Sequence, residues 1–288
     1  MVRPALIVHG GTSMGLSRNE AEMARALETA LRVGAGNLEA PDGAARAVKE
    51  SVKWLEASGL FGAGEGTGYQ RDGRARMDAS IGASDGRVGA VVGVERVGSP
   101  IEAAWTVRER VGHSTLVGPC ADAVMEELGV AMVPPRAGTP KPVRQCVEEY
   151  LREGGAIFGT VGAVAIDAQG TLAAATSTGS YEKALPGRTG DSGAIGIGTY
   201  ATARLAISCT GDGDRIVAAG LSAAIDGYLE AGASLETALD LAGRRMMRYG
   251  VLGGFILVAS SGTAVVLSNV PLIRTASTVE CRHLHPTP

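Results

Sequence analysis

Histidine is scarce. His9, His113, His283 and His285 are the four in 288 residues, so a Ser-His-Asp or Cys-His mechanism has few ways to be assembled. His9, followed by two glycines near a strand end, reads as a residue that orients a loop rather than as a base. Cysteine is as sparse: Cys120, Cys146, Cys209 and Cys281 lie far apart with no CxxC pair, which argues against a zinc knuckle or a disulfide framework and for reduced thiols in the cytosol. No H-E-x-x-H is present, and Asp212-Gly213-Asp214 lacks the remaining ligands of an EF-hand loop. His283 and His285 stand in a tail ending Pro-Thr-Pro that reads as a solvated terminus. Chemistry without a catalytic metal is therefore expected. The 27 basic and 30 acidic residues give a net charge of −3 with no Lys/Arg block, so nucleic acid is not an expected partner. No stretch approaches the roughly 18 consecutive apolar residues of a membrane span, and the richest, Val251 to Leu267, is broken by Gly253-Gly254 and Ser260-Ser261-Gly262. The opening run Ala5-Leu6-Ile7-Val8 is too brief for a signal peptide, and a cytoplasmic location is the expectation.

Glycine, by contrast, is abundant. Its 42 positions are about twice the ordinary share of roughly 7%, which calls for frequent tight turns and close backbone approaches. Apolar residues at 45% are ample for a large core.

Along the chain, Ser17-Arg18-Asn19-Glu20 has the form of a capping box before a helix at Ala21 to Val33. A second helix is expected from about Asp42 to Ala57, where Ala45, Val48, Val52 and Leu55 recur at helical spacing and Gly59 stops it. The glycine-rich segment 62–68 follows. It leads from a helix into strands, the reverse of the dinucleotide-binding order, and reads as a structural loop. Strands at Arg76 to Ile81 and Val88 to Val94 flank Ser84-Asp85-Gly86, and helices return at Pro100 to Arg110 and Ala121 to Leu128. Four prolines in residues 134–142 mark linker chemistry and a boundary, with a short helix at Val143 to Arg152 before Gly154-Gly155. The pattern then becomes β. Val161 to Ile166 and Leu172 to Thr176 flank the turn Asp167-Ala168-Gln169-Gly170, and Phe255 to Ala259 and Ala264 to Leu267 form a like pair. Between them lie a strand at Leu205 to Ser208 and helices at about Arg215 to Glu230 and Ser234 to Arg248. Such segregated runs point to layered α/β with largely antiparallel sheets rather than a βαβ repeat.

Hydroxyl residues are the richer chemical lead. Thr160 follows Gly159 at the start of one hairpin strand and Thr176-Ser177-Thr178-Gly179 ends its partner, so the hairpin brings threonines together. Gly187 to Ser192 and Ser208 to Asp214 are glycine-rich and carry charge or hydroxyl groups; taken singly, each reads as a turn.

Taken together, Gly159-Thr160-Val161-Gly162-Ala163-Val164-Ala165, Ala173 to Gly179, Gly187-Arg188-Thr189-Gly190-Asp191-Ser192 and Ser208-Cys209-Thr210-Gly211 resemble the asparaginase type 2 family, the plant-type L-asparaginase and isoaspartyl peptidase group of N-terminal nucleophile hydrolases. His9-Gly10-Gly11, Leu60-Phe61 with Ala63-Gly64, Met77-Asp78-Ala79 and Val88 to Val91 extend the likeness over nearly the whole chain. The resemblance implies an αββα sandwich of two mainly antiparallel sheets flanked by helices. It implies one domain over 1–288 that cuts itself between Gly159 and Thr160, giving an alpha subunit 1–159, with its linker at about 134–158, and a beta subunit 160–288. Thr160 becomes the nucleophile. The logic stands by itself: a threonine hydroxyl needs a base, histidine is nearly absent, and a freed α-amine with a pKa of about 7.7–8.0 supplies one on the same residue.

By the same resemblance, Thr178 bonds the nucleophile's hydroxyl, and Thr210 with the Gly211 N–H forms the oxyanion hole. Arg188 takes the substrate carboxylate and Asp191 its ammonium, with a mutual Arg188–Asp191 salt bridge as the alternative for that pair. Thr189, Gly190, Asp212 and Gly213 complete the substrate contacts. A structural sodium ion held by the backbone of Leu55, Glu56, Leu60, Phe61 and Ala63 is implied, with no cofactor in the chemistry. So are a small-molecule substrate, a homodimer of precursors and a heterotetramer after cleavage. The chain departs from the family at Gly62, Ser180, Glu182, Gly193 and Asp214, and Asp214 is closer to the glycosylasparaginases. The expected activity is hydrolysis of L-asparagine or β-aspartyl dipeptides; a glycosylasparaginase-type amidase and an unprocessed amino-acid-binding homologue are the alternatives.

Overall fold

A computed structural model describes residues 3–13, 19–153, 159–179, 181 and 183–286. Strand β1 (Ala5–Ser13) opens the chain, followed by helices α1 (Glu20–Ala35) and α2 (Gly43–Ala57). The apolar positions that predicted α2, Ala45, Val48, Val52 and Leu55, are all fully buried. After a single 3-10 turn at Gly64–Gly66 come β2 (Met77–Ala83) and β3 (Val88–Val94), then α3 (Pro100–Arg110), β4 (Thr115–Val117) and α4 (Gly118–Glu127). Ser99 caps α3 by accepting the Glu102 N–H at 3.4 Å, and Pro100 sits where a missing N–H costs nothing.

Residues 134–142 form no regular element but are laced to the 64–75 loop. Gly138 N–H donates to Gly73 C=O at 2.7 Å, and the Arg136 guanidinium reaches the Gly64 and Glu65 carbonyls at 2.5 and 2.7 Å. Proline there sets a path along the surface. Helix α5 (Val143–Glu153) is in turn tied by Glu149 and Glu153 to buried Arg71 at 3.3 and 3.2 Å.

The second half contributes the hairpin β5 (Thr160–Ile166) and β6 (Leu172–Gly179), then β7 (Thr199–Ala201) and β8 (Leu205–Gly211). Strand β8 extends three residues beyond its expected end. Cys209-Thr210-Gly211 has turn chemistry, but it is buried and its ladder to the following strand continues to Gly253. The helix expected from Arg215 to Glu230 is two, α6 (Gly213–Ala219) and α7 (Leu221–Glu230), because Gly220 adopts a left-handed φ of +55°. Helix α8 (Leu235–Tyr249) precedes β9 (Gly253–Ala259), β10 (Ala264–Ser268), β11 (Leu272–Ser277) and β12 (Cys281–Leu284). The last two were not expected from the sequence, nor were β4 and β7. Ser17 and Arg18 of the expected capping box, Gly154-Gly155, Ser180, Glu182 and the final Thr287-Pro288 lie outside the described residues.

Among the described residues the strands make two sheets, ordered β11-β1-β5-β6-β2-β3-β4 and β12-β10-β9-β8-β7. Every pairing is antiparallel except β3 with β4 and β10 with β12. Helices α1, α2 and α3 cover the larger sheet, and α6, α7 and α8 pack on the side of the smaller one. This is the layered αββα arrangement expected. Strands β2, β5, β8, β9 and β10 are buried along their whole length, so most of them read as near-continuous apolar runs, and each fully buried Val, Leu or Ile contributes about 1.5–3 kcal/mol. Period two then assigns faces. Val161, Ala163 and Ala165 meet the helices, whereas Val164 and Ile166 join Ile7, Ala174, Ala206, Ile256 and Val258 between the sheets. No helix of the described residues is long and apolar enough to cross a membrane.

Candidate active site

The same alternation that places Ala5, Ile7, Val164, Leu172 and Ala206 between the sheets carries polar residues to one end of that interface. His9, Thr160, Gly162, Thr176, Thr178, Ser208 and Thr210 each lie an even number of positions from those apolar ones. Register completes the arrangement: Thr160 sits opposite Thr178, and Thr178 opposite Asp78. The Thr160 and Thr178 hydroxyls are 3.2 Å apart, and the Thr178 hydroxyl donates to the Gly159 carbonyl at 2.7 Å. Thr160 is only 6% exposed.

Beneath the threonine pair runs a line of buried polar side chains. His9 Nδ1 accepts the Gly11 N–H at 3.2 Å, which leaves the ring proton on Nε2 for Ser208 Oγ at 2.9 Å. Ser208 Oγ is 2.7 Å from Thr176 Oγ1, which accepts from Thr199 Oγ1 at 2.5 Å. Burial lowers the His9 pKa to about 3, only partly offset by the Thr160 backbone. A ring that stays neutral and whose nitrogens are both engaged is a strut. This is the role expected of His9. Gly162 is obligatory in this packing, since a Cβ there would lie 2.0 Å from Ser208 Oγ and 2.4 Å from His9 Nε2.

A cavity of about 230 Å³ opens in front of Thr160 and Thr178. One wall is glycine: Gly62, Gly66 and Gly68 from the loop read as purely structural, together with Gly159. Arg188, Gly190, Asp191 and Ser192 also line the cavity, as do Gly211 to Asp214. Arg188 pairs with Asp214 Oδ1 at 3.2 Å and lies 5.1 Å from the centre of the Tyr181 ring. Its ion-pair partner among the described residues is thus Asp214, and the mutual pair with Asp191 does not form. Asp191 is buried, and its Oδ2 has no hydrogen-bond partner among the described residues. Burial lifts its pKa to about 7; Asp78 and Asp214 add to the rise and Arg188 opposes it. Thr210 Oγ1 is likewise buried without a partner. Such orphans cost free energy unless a ligand completes them.

Thr189 is on the loop, but its hydroxyl turns away to Asp78 at 2.7 Å and the residue is not part of the cavity wall. Asp212 caps α6 by accepting the Arg215 N–H at 3.2 Å. Burial holds the Cys209 thiol far above its ordinary pKa, which keeps it protonated. Tyr181, Asp214, Thr176 and Ser208 went unassigned in the sequence reading, although the period-two pattern of β6 and β8 already puts the last two on the face of Thr178 and Thr210.

A family profile for asparaginase matches residues 2–280. The chain belongs to the asparaginase family, type 2. Relatives agree along almost the full length. An isoaspartyl peptidase of Salmonella typhimurium is 38% identical over 296 aligned positions, covering 93% of this chain and 93% of the relative. An isoaspartyl peptidase/L-asparaginase of Mus musculus is 36% identical, covering 89% and 82%. A plant-type L-asparaginase of Pyrobaculum calidifontis is 39% identical, covering 82% and 83%.

The loop after α2 turns several carbonyls toward its glycines. A Cβ on Gly66 would lie 1.9 Å from the Phe61 oxygen, and one on Gly64 would lie 2.7 Å from that of Glu56. The Leu55 carbonyl accepts Ser58 Oγ–H at 2.7 Å and the Phe61 carbonyl accepts Ala63 N–H at 2.8 Å, so each keeps a second lone pair. All are hard oxygen donors.

Proposed function

We propose that the protein is a self-processing amidohydrolase that cleaves L-asparagine and β-aspartyl dipeptides with Thr160 as nucleophile. The observation that carries this is the Thr160–Thr178–Gly159 triangle, in which one hydroxyl touches the nucleophile and also polarises the carbonyl just before it. In the intact chain Thr160 Oγ1 attacks the Gly159 carbonyl carbon, the hydroxyl proton passes to the peptide nitrogen as the C–N bond breaks, and an ester forms. Water hydrolyses it. The products are fragments 1–159 and 160–288, the latter beginning with a free amine.

That amine then takes the Thr160 hydroxyl proton as the oxygen attacks the side-chain amide carbon of the substrate. Thr210 Oγ1 and the Gly211 N–H receive the charge that develops on the amide oxygen. The amine returns its proton to the leaving ammonia or peptide amine, and water resolves the acyl-enzyme to aspartate. Arg188 holds the substrate carboxylate by its planar fork while Asp191 pairs with the ammonium. Gly190 and Gly213 give the head group room beside them, and Asp212 fixes the rim. The glycine wall of Gly62, Gly66 and Gly68 faces the leaving group, with no side chain to block a peptide there.

A sodium ion would be held by the carbonyls of Leu55, Glu56, Leu60, Phe61 and Ala63; it would stiffen the loop and take no part in proton transfer. Precursors would pair as a homodimer and give a heterotetramer on cleavage, which light scattering reads directly. The deciding experiment is N-terminal sequencing of active material alongside ammonia release from asparagine, β-aspartyl-leucine and glycosylasparagine. A second sequence beginning Thr-Val-Gly is required. Intact chain that still turns over asparagine sinks the mechanism, and intact chain that binds aspartate without releasing ammonia marks a binding protein.

A further inference from the structure

The loop from Gly187 to Ser192 carries Arg188 and Asp191 but belongs to no helix or strand. It is held from outside by buried side chains of the 70–80 segment. Gln70 Oε1 accepts the Gly187 N–H and Gln70 Nε2 donates to the Arg188 carbonyl, both at 2.8 Å. At the far end Ser80 Oγ donates to the Ser192 carbonyl at 2.5 Å. Between these stands Asp78. Its Oδ2 accepts the Thr189 hydroxyl and its Oδ1 the Gly93 N–H, each at 2.7 Å. The Gly93 bond exists because β2 and β3 slip register between Met77 and Ala79, where Gly93 takes a φ of +65°. Asp78 is 7% exposed and does not line the cavity. A buried carboxylate is costly unless donors meet it, so a bulge and a threonine devoted to one marks a constrained position.

We propose that Asp78 is the positioning residue for substrate recognition: its carboxylate holds Thr189 and thereby sets Arg188 and Asp191 at the separation of a free amino-acid head group. This rests on the reading of those two residues as head-group ligands. The anchor lies in fragment 1–159 and the loop in fragment 160–288, so recognition requires the two fragments to stay associated after the cut. Asparagine at 78 keeps the shape, accepting from Gly93 and donating to Thr189, whose hydroxyl also accepts. Alanine keeps neither bond, nor the carboxylate's further contact with the Gly190 N–H on the same loop.

The test uses processed Asp78→Ala, Asp78→Asn and Thr189→Val enzymes, with KM and kcat for asparagine across pH and amide hydrogen exchange of residues 187–192. Asp78→Ala and Thr189→Val raise KM by about ten- to a hundredfold, as expected for loss of charge-assisted hydrogen bonds, while kcat falls less than about threefold. Loop amides exchange about tenfold faster, the strands of Thr160 and Thr178 do not, and the double variant is no worse than Asp78→Ala. Asp78→Asn restores most of KM yet moves the acid limb of kcat/KM to lower pH. Facing Asp191 are Asp78 from β2, Arg188 from its own loop, Asp214 from α6 and the Cys209 thiol from β8, and this variant removes one negative charge from that set. Unchanged KM and unchanged exchange in Thr189→Val and Asp78→Ala overturn the proposal. So does a fall in kcat at fixed KM, which would put Asp78 to work on Thr178 instead. Thr189 is exposed, so its variant carries the same readings where Asp78→Ala does not fold. Wild-type enzyme that hydrolyses neither asparagine nor β-aspartyl dipeptide defeats the functional reading, and the exchange data alone then decide whether Asp78 holds the loop.

Discussion

Thr178→Val isolates the hydroxyl on which the proposed self-cleavage turns. Valine has the shape of threonine, so it removes two polar contacts without opening a void: the 2.7 Å bond to the Gly159 carbonyl and the 3.2 Å contact to Thr160 Oγ1. A donor aimed at a carbonyl that becomes an oxyanion typically contributes about 2.7–4 kcal/mol to the barrier, which is about 10²–10³ in rate. Folding should feel far less. One buried hydrogen bond is worth about 0.5–1.5 kcal/mol net, which moves the melting temperature by a few degrees. The assay is a denaturing gel time course on freshly folded chain. On the proposed cut the 29.3 kDa chain would yield fragments of about 16 and 13 kDa from its 159- and 129-residue parts. We expect the valine variant to stay intact for at least about a hundredfold longer and Thr178→Ser to recover most of the rate. A valine variant with an unchanged circular dichroism spectrum that cuts itself within about threefold of wild type would refute the assignment of Thr178.

Thr210→Val removes an oxygen that is buried with no partner among the described residues, so kcat should fall by about 10²–10³ while the melting temperature holds or rises; a drop in stability at full activity contradicts that reading. The pH profile tests Asp191. In the proposed mechanism its carboxyl, raised to about 7 by burial, has to ionise to take the substrate ammonium, and the Thr160 amine has to be free as well. The logarithm of kcat/KM should therefore fall with a slope approaching about two below pH 7, and a single limb centred near pH 4 counts against it. Glu56 tests linkage. Buried between the Ser99 hydroxyl at 2.5 Å and the Ile101 N–H at 2.9 Å, it has a pKa raised to about 7 by burial, so the folded chain retains a proton that the unfolded chain releases near pH 4. Its stabilising contribution is complete below the unfolded value and lost as pH rises through 7. Glu56→Gln should then gain about 2–3 kcal/mol on wild type between pH 5 and pH 8, measured by urea denaturation in sodium-free buffer so that no bound cation opposes the rise; a constant difference across that range rules it out.

Much of the local structure was legible. Helix α2 and the hairpin β5–β6 followed from periodicity and turn chemistry, and α3 agrees with its expected range from Pro100 to Arg110, because short-range backbone preferences and the burial pattern coincide there. The α6–α7 break was missed because Gly220 inside an apolar run is silent until a left-handed φ is demanded of it. The end of β8 was missed because Thr210-Gly211 has the composition of a turn and becomes a strand only when β9 pairs with it.

What the sequence by itself determined was a set of ingredients: few histidines, and a glycine–threonine junction at the head of a hairpin whose partner strand ends in threonines. It also determined which residues share a face, since strand period is a local property. Only the tertiary structure decided what meets that face. His9 reaches Ser208 across 199 positions, Asp78 reaches Thr189 across 111, and Arg188 selects Asp214 over Asp191. These pairings depend on how two sheets stack and register, a balance of burial and hydrogen-bond satisfaction summed over the whole interface that no stretch of sequence contains.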